Sequence, residues 1–299
     1  MTRPACLLTL LLPALCALTS AQMDNRQRHE MLARDRMQQQ LHRVLPDHLQ
    51  PKFDSDDGGD HHPARTSDHY CRLFGGHSLC RVPHTRQSCG FVRRRRLSVD
   101  ESAAMLHRHN MERMLVAQGR RRGRNGQALP KAANMMQMSY DVEVHDVAQG
   151  AADRCLGDHD CSPCRKVERG DLGQNFAAHS VFISPSSREG LLKIDVPPLD
   201  QTGGWFMQAD RLSPSEVHRF KGGHGAGHYT QVLWATSERL GCGWIEHEER
   251  GGLSVKLFCN YGPIGNIIDL PVYVAGEPCS ACPRGTTCST EYPGLCKRL

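Results

Sequence analysis

The sequence predicts an α+β protein, and three observations carry that prediction. Apolar residues recur at helical spacing from Met105 onward, later segments are β-branched and aromatic with glycines between them, and cysteines run through the whole chain. Helices followed by strands within one disulfide-rich unit indicate α+β rather than a doubly wound parallel sheet.

In chain order, residues 1–21 read as a signal peptide. Arg3 precedes an apolar run over 5–18 broken only by Thr9 and Pro13, and the small residues Thr19 and Ala21 suit a signal-peptidase site. Cleavage after Ala21 would make Gln22 the new N-terminus. The run falls short of the ~20 apolar residues a bilayer span needs, and no later segment reaches that length, so no transmembrane segment is expected. Of the 14 cysteines, Cys6 and Cys16 leave with the leader. An even number then enters an oxidising compartment, where disulfides are the default. The formal charge of +5 is modest, and much of it lies in two short arginine runs, so nucleic acid is not an expected partner.

Residues 22–69 are rich in Gln, Arg, His and Asp and read as a disordered or weakly helical, pro-like segment with a solvated acidic centre. Residues 70–96 form a cysteine-rich arm. Cys71, Cys80 and Cys89 stand in it with few apolar residues, so stapling elsewhere is expected to hold it. The arm ends in Arg93-Arg94-Arg95-Arg96. On an exposed linker that run resembles a proprotein-convertase site with cleavage after Arg96; a solvated basic stretch is the other reading. Arg120-Arg121-Arg122 sits in a glycine-rich loop and reads as surface.

From Ser98 the pattern becomes helical. Ser98 with Glu101 is a capping box, and Met105, Leu106, His109, Met111, Met114 and Leu115 carry the period to about Gln118. A second helix follows Ser139 through Val142, Val144, Val147, Ala148, Ala151 and Ala152. Residues 229–234, 241–246 and 253–261 read as strands, with Trp234, Trp244 and Tyr261 as core residues.

Four motifs stand out. They are Gly227-His228-Tyr229-Thr230-Gln231-Val232-Leu233-Trp234; Cys259-Asn260-Tyr261-Gly262-Pro263; His109-Asn110 with Arg113; and His159-Asp160-Cys161 followed by Gly173-Gln174-Asn175. In this order they resemble the CAP superfamily of cysteine-rich secretory, antigen five and pathogenesis-related proteins (the SCP domain), and within it the antigen-five-like and peptidase-inhibitor-like secreted branch. The resemblance implies a three-layer α-β-α sandwich over residues 97–276. It also implies disulfides Cys71–Cys161, Cys89–Cys155 and Cys242–Cys259. The usual partner of Cys80 is missing, and the extra Cys164 is its candidate replacement.

Residues 277–299 carry Cys279, Cys282, Cys288 and Cys296 with Pro and Gly between them. The second pair is too widely spaced for a double Cys-x-x-Cys zinc site, so the four are expected to pair among themselves as a hinge. That hinge resembles the one in cysteine-rich secretory proteins.

CAP domains hold two histidines and two glutamates in an open cleft. By motif position the histidines are His159 and His228, but the glutamate positions are Gln174 and, counted from Trp205, Gln208. Neither amide can take up a proton near neutral pH, which argues against hydrolytic chemistry and leaves no catalytic residue to assign. Ser162, Ser184 and Ser186 lack a nucleophile-elbow setting. No cofactor is required on this reading. The cleft could hold a divalent metal such as Zn²⁺ weakly through His159 and His228.

The expected function is therefore that of a secreted, extracellular, non-enzymatic CAP-domain protein that binds a protein or a sterol-like lipid. The alternatives are a metal-dependent secreted hydrolase or protease, and a structural component of an extracellular matrix or of a secretion such as venom.

Overall fold

A hairpin lies at the centre of the fold. Strands β4 (Arg239–Glu249) and β5 (Gly252–Gly262) pair antiparallel over their full length. The two residues between them, Arg250 and Gly251, have φ of 52° and 75°, the left-handed pair a two-residue turn needs. The structure is a computed structural model and describes residues 67–81, 89–182 and 194–299, all within the unit Pro51–Leu299. The expected leader with its cleavage at Ala21, residues 22–66, Ser184 and Ser186 lie outside the described residues.

β3 (Gly173–Phe182) pairs with β5 and forms one edge of the sheet. β1 (Val92–Arg95) and the two-residue β2 (Ser139–Tyr140) both pair with β4, β2 in parallel, giving the order β1-β4-β5-β3.

Alternation along the hairpin sends side chains to two layers. Leu240, Cys242 and Trp244 of β4 and Val255, Leu257, Cys259 and Tyr261 of β5 enter the main core, while Ile245 and Phe258 face the opposite side. Trp244 is wholly buried and removes roughly 200 Å² from water, worth about 5 kcal/mol as an upper estimate.

On the main-core side lies α2 (Val99–Ala117), opened by the expected Ser98–Glu101 capping box. Its buried residues Met105, His109, Arg113 and Val116 follow one helical stripe. On the other side lies α3 (Val142–Asp153), capped by Asp141, whose carboxylate accepts from Val144 N at 3.0 Å. α3 approaches β4 so closely that a Cβ at Gly241 would come within 2.1 Å of His145 N, and one at Gly243 within 2.4 Å of Gln149 N. The three layers of the expected α-β-α sandwich are thus present. Beyond them, β6 (Thr286–Cys288) and β7 (Cys296–Arg298) form a small tail ribbon.

Three expectations require correction. Residues 229–234, expected as a strand, do not form one: Gly227–Leu233 is a helix, with Tyr229 to Leu233 buried on every side. A short run buried all round carries no periodicity to separate helix from strand.

The arginine run is not an exposed linker. It forms an edge strand paired antiparallel with β4 across a register shift between Val92 and Arg94, and Arg96 N donates to Trp244 O at 2.9 Å. Arg93 Nε meets Glu246 at 2.6 Å, Arg94 pairs with Glu101, and Arg95 Nε meets Asp153 at 2.6 Å. Three guanidinium groups bound to carboxylates hold the segment down.

One implied disulfide and the candidate pairing of Cys80 are also replaced. Cys71 bonds Cys80 rather than Cys161, and Cys161 bonds Cys164, so neither Cys71–Cys161 nor Cys80–Cys164 forms. The helix Ser67–Leu73 (α1) is followed by a chain reversal in which His77 N donates to Phe74 O and Cys80 N to His77 O, bringing the Cys71 and Cys80 Cα atoms to 4.7 Å. A single 3₁₀ turn, Ser162–Arg165, does the same for Cys161 and Cys164 at 4.9 Å. Closing short loops costs less chain entropy than crossing between them.

The remaining bridges are Cys89–Cys155, Cys242–Cys259, and in the tail Cys279–Cys288 and Cys282–Cys296. Hydrogen bonds dock the arm as well: Ser78 N donates to Cys164 O at 2.7 Å, Ser78 Oγ to Asp160 at 2.8 Å, and the Arg154 guanidinium to Cys80 O at 2.8 Å.

Candidate functional site

The four residues singled out from the sequence for the cleft meet at the β3 edge of the sheet. Adjacent residues on a strand point to opposite faces, and β3 uses this twice. Gln174, paired in register with Asn260, turns to the side where the loop carrying His159 passes, and its Oε1 lies 2.9 Å from His159 Nδ1. Asn175 turns the other way, and its Nδ2 donates to His228 O at 3.0 Å and to Tyr261 Oη at 3.1 Å. The two histidines, one from a loop and one from a helix, are brought together around this edge. Their rings stack at 6.2 Å between centroids, 25° from parallel.

His228 occupies the first turn of α6 (Gly227–Leu233). The Gln208 amide faces it: Nε2 is 2.7 Å from His228 Nδ1, and Oε1 accepts from His228 N at 3.0 Å and Tyr229 N at 3.4 Å. Gln208 follows the short helix Gly203–Met207 (α4), whose buried Trp205 stacks on His228 at 5.9 Å. Trp205 itself is fixed by an Nε1 donation to Phe176 O at 3.1 Å. Glu216, further along, caps the start of its own helix, Pro214–His218 (α5), its carboxylate accepting from Ser213 N at 2.9 Å.

Behind the cleft, a buried network begins on α2. His109 Nδ1 is 2.7 Å from Met105 O, its Nε2 is 2.9 Å from Tyr261 Oη, and Tyr261 in turn receives Asn175. Burial pulls the His109 pKa down to about 4, with Arg113 and Arg108 adding to the effect against the Met105 carbonyl. Burial and the neighbouring His159 lower that of His228 as well. His159 is exposed and His228 half-buried, so the cleft opens to solvent at His159.

The roles of Asn175, Asn260 and Phe176 were not legible in advance. Asn175 and Asn260 sit inside quoted motifs, but their direction depends on strand pairing, and Phe176 gave no signal beyond its hydrophobicity.

A divalent metal needs lone pairs, and this donor set is poor in them. Both amide oxygens already accept hydrogen bonds, Gln174 Oε1 from Asp160 N at 3.2 Å and Gln208 Oε1 from two backbone N–H groups. The residues present do not fit a metal held by both histidines. Among the described residues, Cys279, Cys282 and Cys296 also bring their sulfur atoms within 4.8 Å of one another. Each is spent in a disulfide, so none is a thiolate ligand.

Comparison with known proteins bears on this arrangement. The model of the cysteine-rich secretory protein family, CAP, matches residues 106–261. Venom allergen 5 of Tityus serrulatus is 33% identical over 242 residues, an overlap of 77% of this chain and 54% of that protein. Scoloptoxin SSD976 of Scolopendra dehaani is 34% identical over 204 residues, covering 68% of this chain and 86% of that one. The chain spans about half the length of several curated relatives it matches, the Tityus serrulatus proteins among them.

Among solved structures, the crystal structure of NaASP2 with Zn2+ superposes with a TM-score of 0.50 at 32% identity, covering 64% of this chain and 92% of that one. BmVAL-1 is similar in fold, with a TM-score of 0.55 at 23% identity over 68% of this chain and 96% of its own.

Proposed function

The chain belongs to the cysteine-rich secretory protein (CAP) family, and on that premise we propose that it is secreted and acts by binding an extracellular partner without chemical turnover. The observation that carries the proposal is the pair of amides at Gln174 and Gln208, each in contact with a cleft histidine. A carboxylate facing each imidazole could accept a proton, and the amide that stands in its place cannot. The partner is an extracellular protein or a sterol-like lipid.

The test is direct. Protein collected from the medium of cells expressing the full chain is assayed on a peptide library with and without chelator, and is used in parallel as bait in the native fluid. Retention of a partner with no turnover is expected. Cleavage that disappears on chelation, or on His159→Ala, would instead support the metal-dependent hydrolase.

A second reading, a component of a venom secretion, is favoured by the names of the relatives, venom allergen 5 and scoloptoxin among them. Detecting the protein in gland secretion, and not in extracted tissue matrix, would support it.

A further inference from the structure

We infer that Gln208 fixes His228 as its Nε2–H tautomer and so makes the cleft a neutral donor–acceptor pair, not a two-histidine metal site. The inference deepens the non-enzymatic reading above and concerns the same residues.

It begins with the orientation of an amide. The N–H groups of His228 and Tyr229 belong to the first turn of α6, where backbone donors have no intrahelical acceptor. Gln208 Oε1 accepts from both, at 3.0 and 3.4 Å. Rotating the amide by half a turn would set an NH₂ group against two N–H donors. The oxygen therefore belongs there, and the NH₂ points at His228 Nδ1, 2.7 Å away. An amide NH₂ only donates, so Nδ1 must carry the lone pair and Nε2 the ring proton.

At His159 the same residue type gives the opposite result. Gln174 Oε1 accepts from Asp160 N at 3.2 Å, and its Nε2 donates to Asn260 Oδ1 at 3.0 Å. It is thus the oxygen that faces His159 Nδ1, which donates and leaves its lone pair on Nε2. Among the described residues, the Asn260 amide nitrogen is buried without a hydrogen-bond partner. With a carboxylate at position 174 the Asn260 amide could turn over and donate to it, so the stranded donor marks the local cost of Gln174.

Two near-parallel imidazoles of opposite tautomer present one N–H and one lone pair. A divalent metal held by both would need two lone pairs. A group that accepts and donates at once, a hydroxyl or a primary amide, complements the pair instead. A carboxylate at position 208 would accept from the two backbone N–H groups and also from an Nδ1–H, releasing the Nε2 lone pair of His228 for a metal.

The experiment uses the full chain carrying ¹⁵N-labelled histidine. Long-range ¹H–¹⁵N spectra report each ring's tautomer directly, and ZnCl₂ is titrated into wild type and Gln208→Glu. In wild type, His228 is expected as Nε2–H and His159 as Nδ1–H, with the His228 resonances unmoved by zinc. In Gln208→Glu, His228 is expected as Nδ1–H, both rings shift with zinc, and affinity rises at least tenfold. A wild-type His228 protonated on Nδ1 overturns the inference, and so does equal zinc affinity in the two proteins. Should the variant fail to fold, the wild-type spectrum alone decides. Peptidase turnover in the earlier assay would sink the functional reading while leaving the tautomers as they are, so the two can fail separately.

Discussion

Arg113 is the buried cation that ties α2 to the end of α6 and to the loops leading into β2 and β4, and replacing it tests how the main core is held. Its guanidinium is fully enclosed and donates to five backbone carbonyls: Met136 through Nε and Nη2 at 2.9 and 2.7 Å, Val232 and Trp234 through Nη1 at 2.8 and 2.9 Å, and Ala235 and Ser237 through Nη2 at 3.1 Å each. Burial pulls its pKa down to about 9, which still leaves it cationic at neutral pH. In Arg113→Met the apolar stem survives and the donors vanish. Trp234 O and Ala235 O keep backbone donors, Ser237 N and Met136 N, each at 3.1 Å. The loss therefore falls on Met136, Val232 and Ser237. A buried acceptor stripped of its partner costs ~1–3 kcal/mol, so three of them give roughly 3–9 kcal/mol, a large part of the ~5–15 kcal/mol stability of a domain. Arg113→Lys keeps the charge but has fewer donors, and should fall between. Denaturant unfolding with disulfides intact, followed by tryptophan fluorescence, measures this. An Arg113→Met protein within ~1 kcal/mol of wild type would refute the assignment of this residue as the tie between α2 and the strand-leading loop.

Three further predictions follow from geometry and charge. The unfolded chain takes up a proton near pH 6.5 that His109 refuses until about pH 4, so stability present above pH 6.5 is lost as pH falls through that window. At ~1.36 kcal/mol per pH unit the loss is about 3 kcal/mol, and His109→Gln should flatten the pH profile of unfolding by that much. A His109→Gln profile as steep as wild type would contradict it. Gly243→Ala places a methyl against the α3 backbone and should destabilise by about 1–3 kcal/mol, whereas an alanine that fits would stabilise; the sign of the change in Tm decides. Native protein exposed to a proprotein convertase should keep the bond after Arg96 intact, because residues 92–95 are paired to β4 and Arg93, Arg94 and Arg95 are bound to carboxylates. An N-terminus at Leu97 after brief native digestion would show that the edge strand peels.

The parts of this fold legible in the sequence are those with long, capped patterns. α2 announces itself through Ser98 and Glu101, α3 through its valines and alanines, and β4 and β5 through β-branched and aromatic residues with glycines between them. α6 was illegible as a helix because all of Tyr229 to Leu233 is buried and its composition is that of a strand. The arginine run looked solvated because its counter-charges, Glu246 and Asp153, lie far along the chain. Disulfide partners within the arm could not be derived from spacing, since connectivity is a property of the folded path. At the cleft, motif position identified His159, Gln174, Gln208 and His228, but not which atom of each amide faces its histidine. That follows only from the backbone N–H groups of Asp160, His228 and Tyr229, which no side-chain pattern reveals.

With Cys71 joined to Cys80 and Cys161 to Cys164, the Cys89–Cys155 bridge is, among the described residues, the sole covalent bond between the arm and the body apart from the chain itself. The front of the molecule is thus secured by a two-key latch. Cutting the backbone near Arg96 turns one key and leaves both pieces travelling together; reducing one sulfur pair turns the other and leaves the thread uncut. A cut near Arg96 therefore frees the arm only when a reductant acts as well, so in an oxidising secretion a molecule nicked there would run as one species until thiol is added.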